Sequence, residues 1–341
     1  MKHTTIAVDI AKSVFEVAVS THPGRVDECQ RLSRSGFVKF FAQREPATAV
    51  MEACGSAHHW GRKLRQLGHT VVLLPPQYVR PYVRRNKTDR TDAKALLEAY
   101  RNGEIEPVPI KSVEQQQVAA LHRLRSGWLA TRTARLNSLR GILRELGWFI
   151  PVGAKQVVPQ VQGLVEDADS GLPDALRSAL FEAGSEIREL ETRMRAVELQ
   201  LQALAEQMPA VRRLRTVPGI GPLTSTALIA FVGDVVRFRS GRRFASFIGL
   251  TPRERSTGNV RRLGAISKRG DPYVRMLLIH GARSVLWHAK RDQAPDRLRA
   301  WAVKVERLRG HNKAAVALAN KLARIAWAVL KHERDYEPMA A

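Results

Sequence analysis

Thr4-Thr5-Ile6-Ala7-Val8-Asp9-Ile10-Ala11-Lys12-Ser13-Val14-Phe15-Glu16-Val17-Ala18-Val19-Ser20 decides how the first third of this chain folds. Its apolar residues come in two runs rich in β-branched side chains, separated by Ala11-Lys12-Ser13, which predicts two strands joined by a tight turn. Asp9 interrupts the first run where a buried strand would carry an apolar residue. An uncompensated buried carboxylate costs several kcal/mol, so an acid there needs a partner or a cation. Working outward, the pattern predicts a third strand near Val26–Leu32, a helix over Gly36–Arg44 and a strand ending at Glu52. A helix over Ala57–Gly68, a strand over His69–Pro75 and a helix over Asp89–Arg101 follow. This order belongs to a mixed α/β layer domain.

Three further acids occupy places as unusual as that of Asp9. Glu52 closes the apolar run Ala47-Thr48-Ala49-Val50-Met51, and Asp89 and Asp92 open the last helix from neighbouring faces. Acids at strand ends and a helix start can converge on one divalent ion, and an all-oxygen set favours Mg²⁺ or Mn²⁺. Such a site points to phosphodiester chemistry.

The 341 residues suffice for two or three domains with real cores. A hydrophobic content of 44% without a long uncharged apolar stretch predicts a soluble protein with no membrane span. Met1-Lys2-His3-Thr4 leads straight into a strand, so no secretory signal is expected. Cys29 and Cys54 have no metal-ligand spacing; they read as small apolar fillers in a reducing, intracellular setting. The net charge of +24 is concentrated: residues 211–341 hold 27 basic and 9 acidic groups, residues 111–210 hold 12 of each. Basic residues gathered in one segment mark a polyanion binder, and arginine's dominance favours nucleic acid over an acidic membrane surface.

Three segments are expected: 1–110, 111–208 and 209–335. Ser112–Gly147 and Asp174–Met208 carry leucines at helical to heptad spacing and predict two long helices, either an antiparallel hairpin or a dimerising coiled coil, or a plain helical subdomain. Pro151–Pro173, rich in Gly, Pro and Val, reads as a loop. In the third segment, Leu214–Ala227 has the pattern of a helix-hairpin-helix, with Gly219 and Gly221 allowing a tight turn whose backbone N–H groups can bind phosphate. Farther on, Ser256 lies in a glycine-containing loop flanked by Arg253, Arg255, Arg261, Arg262, Lys268 and Arg269. A hydroxyl among guanidinium groups can be a nucleophile toward phosphorus. From chemistry alone, a loop residue that hydrogen-bonds phosphate is the stronger reading. No histidine nearby offers a base; His280 and His288 lie on a later apolar helix and read as core or surface residues.

Val8-Asp9-Ile10-Ala11-Lys12, Met51-Glu52-Ala53-Cys54-Gly55, Asn86–Ala93, Pro218-Gly219-Ile220-Gly221, Gly249-Leu250-Thr251-Pro252, Ser256-Thr257-Gly258 and Ser267-Lys268-Arg269-Gly270-Asp271 occur in that order. Together they resemble the DEDD-type insertion-sequence transposases, whose characterised members are bridge-RNA-guided DNA recombinases. The resemblance runs from about residue 4 to residue 332. It implies a RuvC-like, RNase H-fold N-terminal domain, a helical coiled-coil middle that mediates dimerisation, and a mainly helical C-terminal transposase domain. It implies that Asp9, Glu52, Asp89 and Asp92 bind Mg²⁺ and that Ser256 is the nucleophile of a phosphoserine link to DNA. Thr257 stays open as an alternative, because the spacing from Pro252 departs by one residue. Cys54 stands where the family often has Thr.

The resemblance further implies element and target DNA and a noncoding guide RNA as partners, a homodimer or homotetramer with acids and serine from different protomers, and a place in the prokaryotic cytoplasm, at the nucleoid. Lys87, Arg90, Gly219, Gly221 and the basic residues around Ser256 are the candidate nucleic-acid contacts. Two competing readings are a metal-dependent, structure-specific (Holliday-junction-like) nuclease and a non-catalytic nucleic-acid scaffold.

Overall fold

Strands β1 (Thr5–Ile10) and β2 (Val14–Ser20) form the expected hairpin in the computed structural model, closed by the Ala11 N–H donating to Val14 O at 3.2 Å. The chain divides into two units, Met1–Val113 and Glu114–Ala341. The structure describes residues 4–22, 25–83 and 89–339, with the side chains of 89–91 outside that description.

In the first unit, β3 (Glu28–Ser33), α1 (Arg34–Ala42), β4 (Thr48–Glu52), α2 (Ala57–Gln66) and β5 (Thr70–Leu74) complete a sheet of order β3-β2-β1-β4-β5. The outer β3-β2-β1 pairings are antiparallel, and β1-β4 and β4-β5 are parallel. The short α3 (Pro76–Val79) and then α4 (Asp89–Arg101) follow. Alternate residues of each strand serve opposite faces. Ile6, Val8, Phe15, Val17 and Met51 pack beneath α1 and α2, where Phe15 stacks on Phe37 at 4.4 Å and Trp60 meets Phe15 edge-on at 5.0 Å. Ala7, Ala18, Val50 and Leu74 face α4 through Ala93, Leu96 and Leu97. The small side chains at 7 and 18 let that helix lie close to β1 and β2.

The second unit begins with α5 (Val113–Glu145), α6 (Ala154–Glu166) and α7 (Asp174–Gln207). Arg125 pairs with Glu198, Arg132 with Glu191 and Arg135 with Glu186 at 2.6, 2.6 and 2.7 Å, so α5 and α7 run antiparallel as a hairpin within one chain. These partly exposed pairs fix register more than they stabilise. The loop expected over Pro151–Pro173 is a helix at its centre. Pro159 inside α6 costs one backbone hydrogen bond, about 3 kcal/mol in a helix interior. Burial of Val157 and Val161 against Leu139, Leu143 and Ile187 offsets that loss, each valine giving about 1.5–3 kcal/mol.

Helices α8 (Pro209–Arg215), α9 (Pro222–Val232), α10 (Gly241–Phe247), α11 (Pro272–Ala289), α12 (Arg297–Arg309) and α13 (His311–His332) build the C-terminal core, with the strands β6 (Pro252–Glu254) and β7 (Leu263–Ile266) between α10 and α11. The buried row Ala315, Ala319, Ala323 and Ala326 lets neighbouring helices approach α13 closely around Leu278, Leu286, Leu318 and Leu322. His280 and His288 lie exposed on α11.

A polar knot ties α5 to this core. Fully buried His122 lies 3.0 Å from both Tyr273 Oη and Thr226 Oγ1. The Thr226 hydroxyl donates to Pro222 O at 2.6 Å, so it accepts from His122 Nε2–H, and Nδ1 accepts from Tyr273. Burial, with a lesser push from Arg125, lowers the His122 pKa from 6.5 to about 4.

Candidate active site

The parallel pairing of β1 with β4 reaches Val8↔Met51, and the next residue on each strand is an acid. Asp9 and Glu52 therefore stand side by side at the carboxyl ends of adjacent strands, about 4.8 Å apart in backbone, on the face that carries Ala7 and Val50. Glu16, opposite Asp9 on β2, adds a third carboxylate to that face and pairs with Arg31 at 3.6 Å. Half-buried Cys54 reports the field: burial first, then the charges of Glu52 and Asp9, push its thiol up. Helix α4 covers the same face and carries half-buried Asp92 in its first turn. Lys87 and the side chains of Asp89 and Arg90 lie outside the described residues. Among the described residues no three His, Cys, Asp or Glu side chains form a metal-holding group. The adjacent Asp9 and Glu52 carboxylates nonetheless suit a hard divalent cation, which would relieve their mutual repulsion.

The serine lies in the other unit, on a hairpin. β6 and β7 pair antiparallel, and the Thr257 and Val260 N–H groups donate to each other's carbonyls near the tip. Every residue from Pro252 to Ala265 is exposed. β6 ends at Glu254, and Ser256 lies two residues on, in the arm that leads to the tip. The Ser256 hydroxyl donates to Glu254 Oε1 at 2.8 Å and accepts from the Arg262 N–H at 3.3 Å. Arg261 Nε donates to the same carboxylate oxygen at 3.2 Å. The Ser256 hydrogen bond, then the Arg261 charge, hold Glu254 below the usual carboxylate range. The Arg253 guanidinium donates to Ser267 O at 3.3 Å, and the Arg255 N–H to Arg262 O at 2.9 Å.

Main-chain packing holds the base of this hairpin. A Cβ at Gly249 would overlap the carbonyl oxygen of Arg269, and one at Gly270 that of Phe247; both glycines have positive φ, +81° and +73°. Lys268 adopts φ +54° between them, a backbone seldom taken by a residue with a side chain. Arg275 donates to Ile248 O at 3.0 Å and to Arg269 O at 2.9 Å, and Asn320 Nδ2 donates to Leu250 O at 3.1 Å. The motif's glycines thus serve the scaffold, and its arginines face solvent.

The turn between α8 and α9 has Gly219 at φ +78°, where a Cβ would lie 2.7 Å from Gly281 O. The turn lines a shallow depression of about 500 Å³ together with Arg215, Thr216, Ser284 and Arg299.

Residues 6–147 match the DEDD-type transposase family of IS110, and residues 211–297 match the IS116/IS110/IS902 transposase family. The chain is 44% identical over 342 residues to a probable family 20 transposase of Pseudomonas aeruginosa, covering 99% of this chain and 100% of the relative. It is 38% identical over 331 residues to the transposase for insertion sequence element IS1111A of Coxiella burnetii, covering 97% and 90%. The chain belongs to the IS116/IS110/IS902 family of transposases. The transposase is 35% identical over 327 residues to that of insertion sequence element IS1328 of Yersinia enterocolitica, covering 96% of each.

As an insertion-sequence transposase it acts on DNA, and its DEDD-type domain points to divalent-metal dependence. No helix among the described residues of the transposase is long and apolar enough to cross a membrane. Asp9, Glu52, Asp89 and Asp92 fall within the first matched segment, and Gly219, Gly221 and Ser256 within the second. The fold brings Asp9 and Glu52 together and sets Ser256 among Glu254, Arg261 and Arg262; acids and serine belong to different units. Sequence reading passed over Glu254, although an acid two residues before Ser256 in an otherwise basic stretch was the available signal. It passed over Glu16 because that acid meets Asp9 only through strand register.

Proposed function

We propose that this transposase exchanges DNA strands through a covalent link to Ser256, at sites chosen by a noncoding guide RNA. The observation that carries the reading is the exposed Ser256 hydroxyl, held by a carboxylate and a backbone N–H in a hairpin studded with arginines. In the forward step Ser256 Oγ attacks a DNA phosphorus, an Oγ–P bond forms, and the bond from phosphorus to one nucleoside oxygen breaks. That oxygen leaves with the electron pair and takes up a proton. In the return step a nucleoside hydroxyl of a second strand displaces Oγ, which keeps the bond energy for rejoining. Arg253, Arg255, Arg261 and Arg262 offset the extra negative charge at phosphorus.

Asp9, Glu52, Asp89 and Asp92 would hold Mg²⁺ or Mn²⁺, which supplies charge neutralisation at phosphate oxygens. A RuvC-like, RNase H-type reading of the first unit rests on its strand order, with an antiparallel β3-β2-β1 half and a parallel β1-β4-β5 half. A helix-hairpin-helix reading of α8–α9 rests on the Gly219–Gly221 turn beside Arg215 and Arg299, where backbone amides and guanidinium groups suit a DNA phosphate. Dimerisation through the helical middle is supported by exposed apolar residues there, Phe149 and Val152 between α5 and α6 and Phe181 on α7, at 74%, 97% and 49% accessibility.

Incubation with element-end DNA and Mg²⁺, followed by denaturing electrophoresis, tests the nucleophile. The wild type should give a protein–DNA adduct that Ser256→Ala does not. Free ends without adduct would indicate attack by water and a structure-specific nuclease. Sequencing of copurifying RNA tests the guide: one discrete species matching element ends and target is expected, and random cellular RNA would sink it.

A further inference from the structure

We infer that Glu254 is the general base of the strand-transfer step, taking the proton from Ser256 as its oxygen attacks phosphorus; this rests on the serine reading above. The geometry carries the assignment. Glu254 Oε1 accepts the Ser256 hydroxyl at 2.8 Å, within the distance for direct proton transfer. Glu254 ends β6 and Ser256 lies two residues farther along the same arm of the hairpin, where the Arg255 N–H donates to Arg262 O at 2.9 Å. Arg261 Nε on the opposite strand contacts the same oxygen at 3.2 Å and fixes the carboxylate's orientation. The Arg262 N–H, 3.3 Å from Ser256 Oγ, occupies a lone-pair direction and leaves the hydroxyl proton to Glu254. Nucleophile, base and orienting cation are thus three side chains within one hairpin, an arrangement that activated hydroxyl nucleophiles require.

Over the two steps Glu254 returns to its starting charge, with solvent water serving the nucleoside oxygens. As the Ser256 Oγ–P bond forms, the proton passes to Glu254 Oε1 and the departing nucleoside oxygen takes a proton from water. On the return step the incoming hydroxyl gives its proton to the hydroxide that the first step left in the solvent as its oxygen bonds to phosphorus, and neutral Glu254 hands its own proton back to the leaving Ser256 Oγ. No oxidant, reductant or third reactant is consumed.

The test compares adduct formation by the full-length wild type, Glu254→Gln, Glu254→Asp and Ser256→Ala on the same end DNA, with DNA affinity measured in parallel. Glu254→Gln keeps size and a hydrogen-bond acceptor but cannot take a proton. It should slow adduct formation about 10²-fold or more, as general-base removal does, while DNA affinity stays equal or rises because an anion has gone. Glu254→Asp should recover part of the rate. An adduct rate in Glu254→Gln within about threefold of wild type overturns the assignment, and so does a loss explained by weakened DNA binding. Adducts that persist in Ser256→Ala remove the serine reading and Glu254 with it, an outcome separate from failure of the base alone.

Discussion

Acid should weaken the second unit through one residue, His122. Its imidazole has no exposed surface, and both ring nitrogens are engaged, by Thr226 and Tyr273. The folded pKa is about 4 against 6.5 for the free group. Above pH 6.5 both states are neutral and His122 contributes nothing to pH dependence. Below it the unfolded chain binds a proton that the folded chain refuses, so stability falls with pH until the folded group also titrates near 4. At about 1.4 kcal/mol per pH unit, the loss is about 2 kcal/mol at pH 5 and about 3 kcal/mol in full. Urea unfolding followed by circular dichroism at pH 7, 6, 5 and 4.5 reads it. His122→Gln should cost stability at pH 7, because one polar contact of the knot is strained or lost, yet flatten the slope between pH 6.5 and 4.5. Equal slopes in the two proteins would refute the assignment of acid sensitivity to this imidazole.

Two further outcomes follow from packing and charge. Gly249→Ala should destabilise the second unit by about 2–4 kcal/mol, since a methyl group there meets the Arg269 carbonyl and positive φ is lost to the new residue; strand-transfer activity should go with it, and a Tm within a degree of wild type would show that the hairpin base can shift. Glu52→Gln in a Cys29→Ser background should raise the alkylation rate of Cys54 at pH 8 in chelator by roughly threefold or more, because the thiolate is the reacting form and one of the charges opposing it is gone; an unchanged rate would mean that Glu52 does not act on the ground Cys54 shares with Asp9.

The sequence exposed most of the first unit because its signals are local. Short apolar runs rich in β-branched residues placed β1, β2, β4 and β5, and acids in or at the ends of those runs marked Asp9 and Glu52 before any sheet was drawn. The strand order that sets those two side by side is not local, nor is the opposition of Glu16. Pro159 misled the reading of 151–173, since breaker residues weigh heavily in isolation and the burial of Val157 and Val161 beneath two distant helices cannot be counted along the chain. The His122 knot joins residues more than a hundred positions apart. At the serine, the arginines were evident and suggested phosphate binding, whereas the role of Glu254 depended on pairing of two strands of three and four residues, too short for any periodicity to announce.

The hairpin that carries Ser256 is anchored by main-chain atoms at Gly249 and Gly270, while residues 253–265 touch little besides each other and solvent. Fixation and chemistry are therefore written in separate stretches of sequence. Substitutions at the tip can remodel how the arm meets a DNA backbone without disturbing the helices that hold it, so selection can vary this surface cheaply. The same separation gives an engineer a short cassette, bounded by two glycines, in which to alter DNA contacts while leaving the fold alone.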